Sequence, residues 1–146
     1  MARDRTPRDG PADRSVLRRR ILVVDDEDGT RLVLGRALAR GGAQVFTAGG
    51  GREALNMLST LDDLDAVVSD VSMPGMTGVE LAYEILERRP VLPILFVTAS
   101  TVPYDLLARP LVALLAKPPQ LVQLHERLEL LIARAAARPV PVSRAE

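Results

Sequence analysis

Four short apolar runs in this chain each end on a residue able to do chemistry. Residues 21–24 run into Asp25 and Asp26, Ala66–Ser69 into Asp70, residues 94–97 into Thr98, and Val112–Ala116 into Lys117. The first run, residues 21–24, reads as a strand buried on both faces, and the other three as further strands. Such strands belong to parallel sheets, whose neighbours need a crossover between them. The intervening segments supply the crossovers. Residues 30–40 carry Leu32, Leu34, Ala37 and Leu38 and stop at Gly41 and Gly42, as a helix does. Gln44–Ala48 reads as a further strand, and residues 52–58 as a helix with Ala54, Leu55 and Leu58 inward. Residues 79–88 place Leu81, Ala82, Ile85 and Leu86 on one side, and residues 120–137 place Leu121, Leu124, Leu128 and Leu131 at helical spacing.

This alternation predicts an α/β domain: a five-stranded parallel sheet, doubly wound and flavodoxin-like, with helices on both faces. In the strand order 2-1-3-4-5, ligands bind beyond the carboxyl ends of strands 1 and 3, where the order reverses. Those two strands end in aspartates here. The 146 residues suit one domain, expected over residues 20–137. Residues 1–19 mix Arg, Asp, Pro and Gly and predict a disordered tail, as do residues 138–146.

Composition narrows the function. The chain is 47% hydrophobic but only 3% aromatic, so its core is aliphatic and alanine-rich. Its formal net charge is zero, so no global field draws it to nucleic acid or anionic lipid. The absence of cysteine excludes disulfides, thiolate catalysis and thiolate metal sites, and points to a reducing cytoplasm. No apolar run approaches the roughly 20 residues of a membrane span. Residues 1–20 lack the apolar stretch of a signal peptide. A soluble cytoplasmic protein is expected.

In a parallel sheet the residues that close the strands, Asp25, Asp26, Asp70, Thr98 and Lys117, meet at one end. Three carboxylates so close repel one another, and a cation relieves the repulsion. Oxygen ligands without His or Cys favour a hard ion, Mg²⁺ first and Mn²⁺ next. An aspartate oxygen attacks a phosphoryl group only where the phosphoryl charge is neutralised. A metal on one side and an ammonium on the other would do this, with a hydroxyl such as Thr98 for the remaining oxygen. Lys117 fits the task by composition too: of 19 basic residues it is the single lysine. A compact ammonium suits a small pocket better than a planar guanidinium.

Ile21-Leu-Val-Val-Asp-Asp-Glu27, Ser69-Asp-Val-Ser-Met-Pro-Gly-Met-Thr-Gly78, Phe96-Val-Thr-Ala-Ser100 and Ala116-Lys-Pro118 resemble the successive blocks of response-regulator receiver domains. The resemblance covers about residues 20–133. It implies that Asp70 is the phosphoacceptor and that a histidine kinase or phosphotransfer protein is the donor. It implies further that Asp26, Asp70 and the backbone carbonyl of Ser72 hold Mg²⁺, with Asp25 assisting through water. Thr98 and Lys117 would bind phosphoryl oxygens, and the Lys117–Pro118 bond would be cis. Output would pass to a protein partner or to an effector region beyond this sequence, without direct contact to nucleic acid or membrane.

The chain also departs from that pattern. Leu114 stands where receivers usually carry Tyr or Phe as a rotameric switch. The segment from Thr98 to Lys117 is short, holds Pro103 and Pro110, and leaves room for a fourth helix of only about residues 104–109. A docking domain with a weakened switch is therefore an alternative reading. An Asp-nucleophile phosphohydrolase is a more distant one, because Val-Ser-Met-Pro after Asp70 supplies no second acid and no insertion is long enough for a cap. Other signals read as scaffold. Gly49, Gly50 and Gly51 form a turn, since no Gly-Lys-Ser/Thr follows. His125 reads as a surface residue, and Asp62, Asp63 and Asp65 as a solvated loop. The same holds for the arginines at 18–20, a solvated lead-in.

Overall fold

The apolar runs are strands, and the segments between them are helices. The computed structural model describes residues 18–138. Along the chain come β1 (Arg20–Val24), α1 (Asp28–Arg40), β2 (Gln44–Ala48), α2 (Gly51–Leu58), β3 (Ala66–Ser69), α3 (Gly78–Arg88), β4 (Ile94–Thr98), α4 (Tyr104–Leu107), β5 (Val112–Ala116) and α5 (Leu121–Ala137). All five strands pair in parallel, in the order β2-β1-β3-β4-β5. This is the doubly wound, flavodoxin-like arrangement expected from the alternation of runs.

Side chains alternate across each strand, so the sheet builds two cores. On one face Leu22, Val24, Val67, Ile94 and Phe96 pack against Leu55 and Leu58 of α2, Leu81 and Ile85 of α3, and Leu106 of α4. On the other, Ile21, Val23, Val68, Leu95 and Val97 meet Leu34 and Leu38 of α1 and Leu124, Leu128 and Leu131 of α5. Each buried side chain of this size contributes roughly 1.5–3 kcal/mol. Two leucines of the expected stripes are not in these cores: Leu32 is 53% and Leu121 43% exposed. Leu32 lies two residues before Leu34, a spacing that puts them on different sides of a helix.

Helix ends follow local chemistry. Thr77 and Glu80 form a reciprocal capping box at α3, with bonds of 3.1 and 3.0 Å. After α1, Gly42 takes a φ of 104° while its N–H donates to the Ala39 carbonyl. The fourth helix starts where expected, after Pro103, but covers four residues and ends at Leu107, two short of the expected 104–109. The acidic loop is less free than expected: Asp63 pairs with Arg20 at 2.8 Å, and Asp65 accepts the Arg20 N–H at 2.8 Å. The expected tails, 1–19 and 138–146, lie outside the described residues except Arg18, Arg19 and Arg138; Arg19 pairs with Glu129 at 3.0 Å. Among the described residues no helix is long and apolar enough to cross a membrane.

Candidate functional site

Strand register sets the site. Val24 of β1 faces Ser69 of β3, so the next residues, Asp25 and Asp70, leave the sheet side by side. Thr98 faces Ala116, which places Lys117 one step beyond on the neighbouring strand. Each strand end is tied by one more ladder bond. Asp25 N–H donates to the Ala48 carbonyl at 3.2 Å, Asp70 N–H to Val24 at 3.0 Å, and Lys117 N–H to Thr98 at 3.0 Å. The residues expected to converge do so. Ligand oxygens of Asp25, Asp26 and Asp70 lie within 4.8 Å of one another. Lys117 Nζ reaches Asp70 Oδ2 at 2.8 Å and Asp25 Oδ2 at 2.9 Å. The Lys117–Pro118 bond is cis.

Asp25, Asp70 and Thr98 are buried, and Asp26 is exposed at the mouth. Burial raises the Asp70 pKa, but the Lys117 ammonium, the Thr98 hydroxyl and the Val71 amide outweigh it and hold the carboxyl below its ordinary value. Burial likewise lowers the Lys117 pKa, and its contacts with Asp70 and Asp25 reverse the effect, holding it above the usual lysine range. Asp70 is thus a carboxylate at neutral pH, as a nucleophile needs. One ammonium facing three carboxylates leaves an excess of two negative charges. Asp25 Oδ2 is buried and, beyond its ionic contact with Lys117, has no hydrogen-bond partner. An excess charge and a buried, under-satisfied carboxylate oxygen fit a divalent cation held by hard oxygen donors.

Two neighbours escaped the sequence reading. Ser100 links the loop after β4 to the loop after β3, through a 2.8 Å hydroxyl contact with Ser72, while its N–H donates to Thr98 Oγ1 at 3.0 Å. A serine in a loop gives no signal of such a contact. Gly78 is the other: a Cβ there would lie 1.8 Å from the Asp70 carbonyl oxygen. Only glycine lets α3 start this close to the end of β3, where Gly78 N–H donates to the Val71 carbonyl at 2.8 Å. Its place at the end of the Ser69–Gly78 block was the available sign.

Comparison with known proteins agrees with this geometry. Residues 21–129 match the family model described as the response regulator receiver domain. The chain is 42% identical over 79 residues to the DNA-binding transcriptional regulator NtrC of Klebsiella pneumoniae, covering 54% of this chain and 17% of the relative. It is thus similar to about a sixth of that protein's length. Among solved structures, the receiver domain of the hybrid histidine kinase CckA is 32% identical, with a TM-score of 0.67 over 77% of this chain and 98% of the other. The response regulator TrrA of Thermotoga maritima, solved in complex with Mg²⁺ and BeF, is also 32% identical, with a TM-score of 0.69 over 77% of this chain and 98% of TrrA. With its sheet order, its acid cluster and a family match over most of its length, the chain belongs to the response regulator receiver domains.

Proposed function

We propose that Asp70 accepts a phosphoryl group from a histidine kinase or phosphotransfer protein, and that residues 20–137 pass the signal on by protein–protein contact. The observation that carries this reading is the convergence of three carboxylates and one ammonium at the carboxyl end of the sheet. An Asp70 oxygen attacks phosphorus as the P–N bond of the donor phosphohistidine breaks, its electrons leaving on the imidazole. The product is an acyl phosphate on Asp70. The domain's chemistry is confined to this group, gained and later lost to water, rather than turnover of a free substrate.

Asp26, Asp70 and the Ser72 carbonyl are the groups that would hold Mg²⁺, or Mn²⁺ in second place, with Asp25 assisting through water. A bound ion supplies charge neutralisation for the phosphoryl oxygens. Lys117 exchanges its carboxylate partners for a phosphoryl oxygen, and Thr98 offers its hydroxyl to another. The reading places the protein in the cytoplasm, which suits a chain without cysteine. A second reading, a docking domain with a weakened switch, is favoured by Leu114, which packs against the Phe96 face and has no hydroxyl to hold an outward position.

The test is labelling of the full chain with acetyl phosphate, with and without Mg²⁺. Labelling is expected only with the metal, is expected to vanish in Asp70→Asn, and is expected to need far more metal in Asp26→Asn. Equal labelling of Asp70→Asn and the parent would overturn the assignment.

A further inference from the structure

We propose that Arg31 is a positioning residue for the metal-binding loop, an inference that rests on the metal-assisted reading of the acid cluster. Arg31 lies on α1, outside the cluster, and its side chain is 23% exposed. One arm of its guanidinium, Nη1, donates to the backbone carbonyl of Asp25 at 2.6 Å. The other, Nη2, donates to Asp28 Oδ1 at 2.6 Å. The planar fork holds the two donors in fixed relation, so the loop carbonyl is locked to the first turn of α1. Beside it lies Gly49, where an added Cβ would sit 3.6 Å from Nη1, so the guanidinium also neighbours the loop after β2.

The Asp25 carbonyl belongs to the peptide plane that joins Asp25 to Asp26. A peptide plane is rigid, so fixing its oxygen fixes the direction in which the Asp26 Cα leaves it. Asp25 is held at its other groups too. Its N–H bonds the Ala48 carbonyl at 3.2 Å, and its Oδ1 accepts the Glu27 N–H at 2.9 Å. Asp26 has no such support from burial, being exposed, and depends on the backbone for its aim. Arg31 supplies the remaining constraint on that backbone.

A positive charge near a cation site would, acting only through space, weaken metal binding. Positioning acts in the opposite direction, so the sign of one measurement separates the two. Mn²⁺ binding to the full chain, followed by electron paramagnetic resonance without any phosphodonor, reads it directly. Arg31→Met keeps the aliphatic stem and removes both donors. Its Mn²⁺ affinity is expected to fall about tenfold, the scale of lost outer-shell support. Acetyl phosphate labelling at saturating Mg²⁺ is expected to stay close to the parent, with the loss appearing only at limiting Mg²⁺. Arg31→Lys keeps the charge but has a single donor head, and is expected to recover less than half of the loss. Arg31→Lys also keeps the test open if Arg31→Met fails to fold, because its charge is conserved and a loss of Mn²⁺ affinity in it reports positioning alone. Unchanged or tighter Mn²⁺ binding in Arg31→Met, or full recovery in Arg31→Lys, would overturn the proposal. A parent chain that binds no Mn²⁺ overturns the metal-assisted reading itself, and the proposal with it.

Discussion

The smallest residue near the site constrains it most. Gly78 has no room for a Cβ, because the atom in the way is the backbone oxygen of Asp70 and not a flexible side chain. Gly78→Ala must push α3 away from β3 or displace Asp70. It is expected to cost about 1–3 kcal/mol of stability in urea unfolding, the range for overpacking a tight contact. Labelling of Asp70 should fall with it even where the variant is fully folded. The charges give a second prediction. Asp70 is held below the ordinary aspartate value, mainly by Lys117 acting against burial. A lowered carboxyl pKa adds stability that is fully present above the ordinary value, about 3.9, and is lost as pH falls through the lower folded value. Lys117, held above its ordinary value, contributes below that value and ceases to as pH rises through the folded one. Unfolding midpoints of the metal-free protein should therefore drop on acidification below about pH 4, and Asp70→Asn should flatten that part of the profile.

Among the elements, strands were the most readable and α4 the least. A strand buried on both faces, such as Ala66–Ser69, writes itself as a continuous apolar run, and the edge strands Gln44–Ala48 and Val112–Ala116, only partly buried, also form over the expected ranges. The starts of α1, α2 and α3 were read one or two residues late and that of α5 one residue early; α1 and α2 begin after Glu27 and Gly50 without a side-chain cap. Apolar spacing shows where a helix packs and says little about where it begins. The brevity of α4 was visible in Pro103 and Pro110; its anchorage was not. Leu106 is fully buried beneath it, and the Tyr83 hydroxyl on α3 donates to Asp105 Oδ2 at 2.7 Å. That bond spans 22 residues between exposed side chains, which no local pattern reports. With Leu114 in place of an aromatic, Tyr83 is a hydrogen-bonding aromatic that reaches α4 from the neighbouring helix. Tyr83→Phe is expected to speed amide exchange across residues 104–109 while leaving the overall melting transition close to the parent, as an exposed pair adds little global stability. Equal exchange in both would show that Leu106 alone holds the helix.

Across the whole molecule, the first and last helices share a core and a bridge. His125, read from sequence as a surface residue, is half-buried between them. Its Nδ1 lies 2.8 Å from the Leu121 carbonyl and its Nε2 lies 3.0 Å from the Ala37 carbonyl. Both partners only accept, so the neutral ring donates to one of them and the imidazolium to both. Gly41 makes the room, since a Cβ there would sit 2.8 Å from Nε2. A single histidine on an amphipathic helix carries no mark of such a long-range partner, which is why the sequence did not show it. His125→Ala is expected to lower stability by about 1–2 kcal/mol in urea unfolding, with Asp70 labelling unaffected once the variant is folded. The acid cluster, by contrast, was readable in full, because a parallel sheet brings strand-closing residues together whatever the loops do. The ladder bonds donated by Asp25, Asp70 and Lys117 have a temporal consequence. Amides locked into a central sheet open only when the sheet opens, whereas loop and short-helix amides open far more often. The protein is thus expected to run on two clocks, which amide exchange would read: the Asp70 amide, held at the end of the central strand, keeps the slow time of global unfolding, and the loop that begins at Ser100, one serine contact away, keeps a faster one.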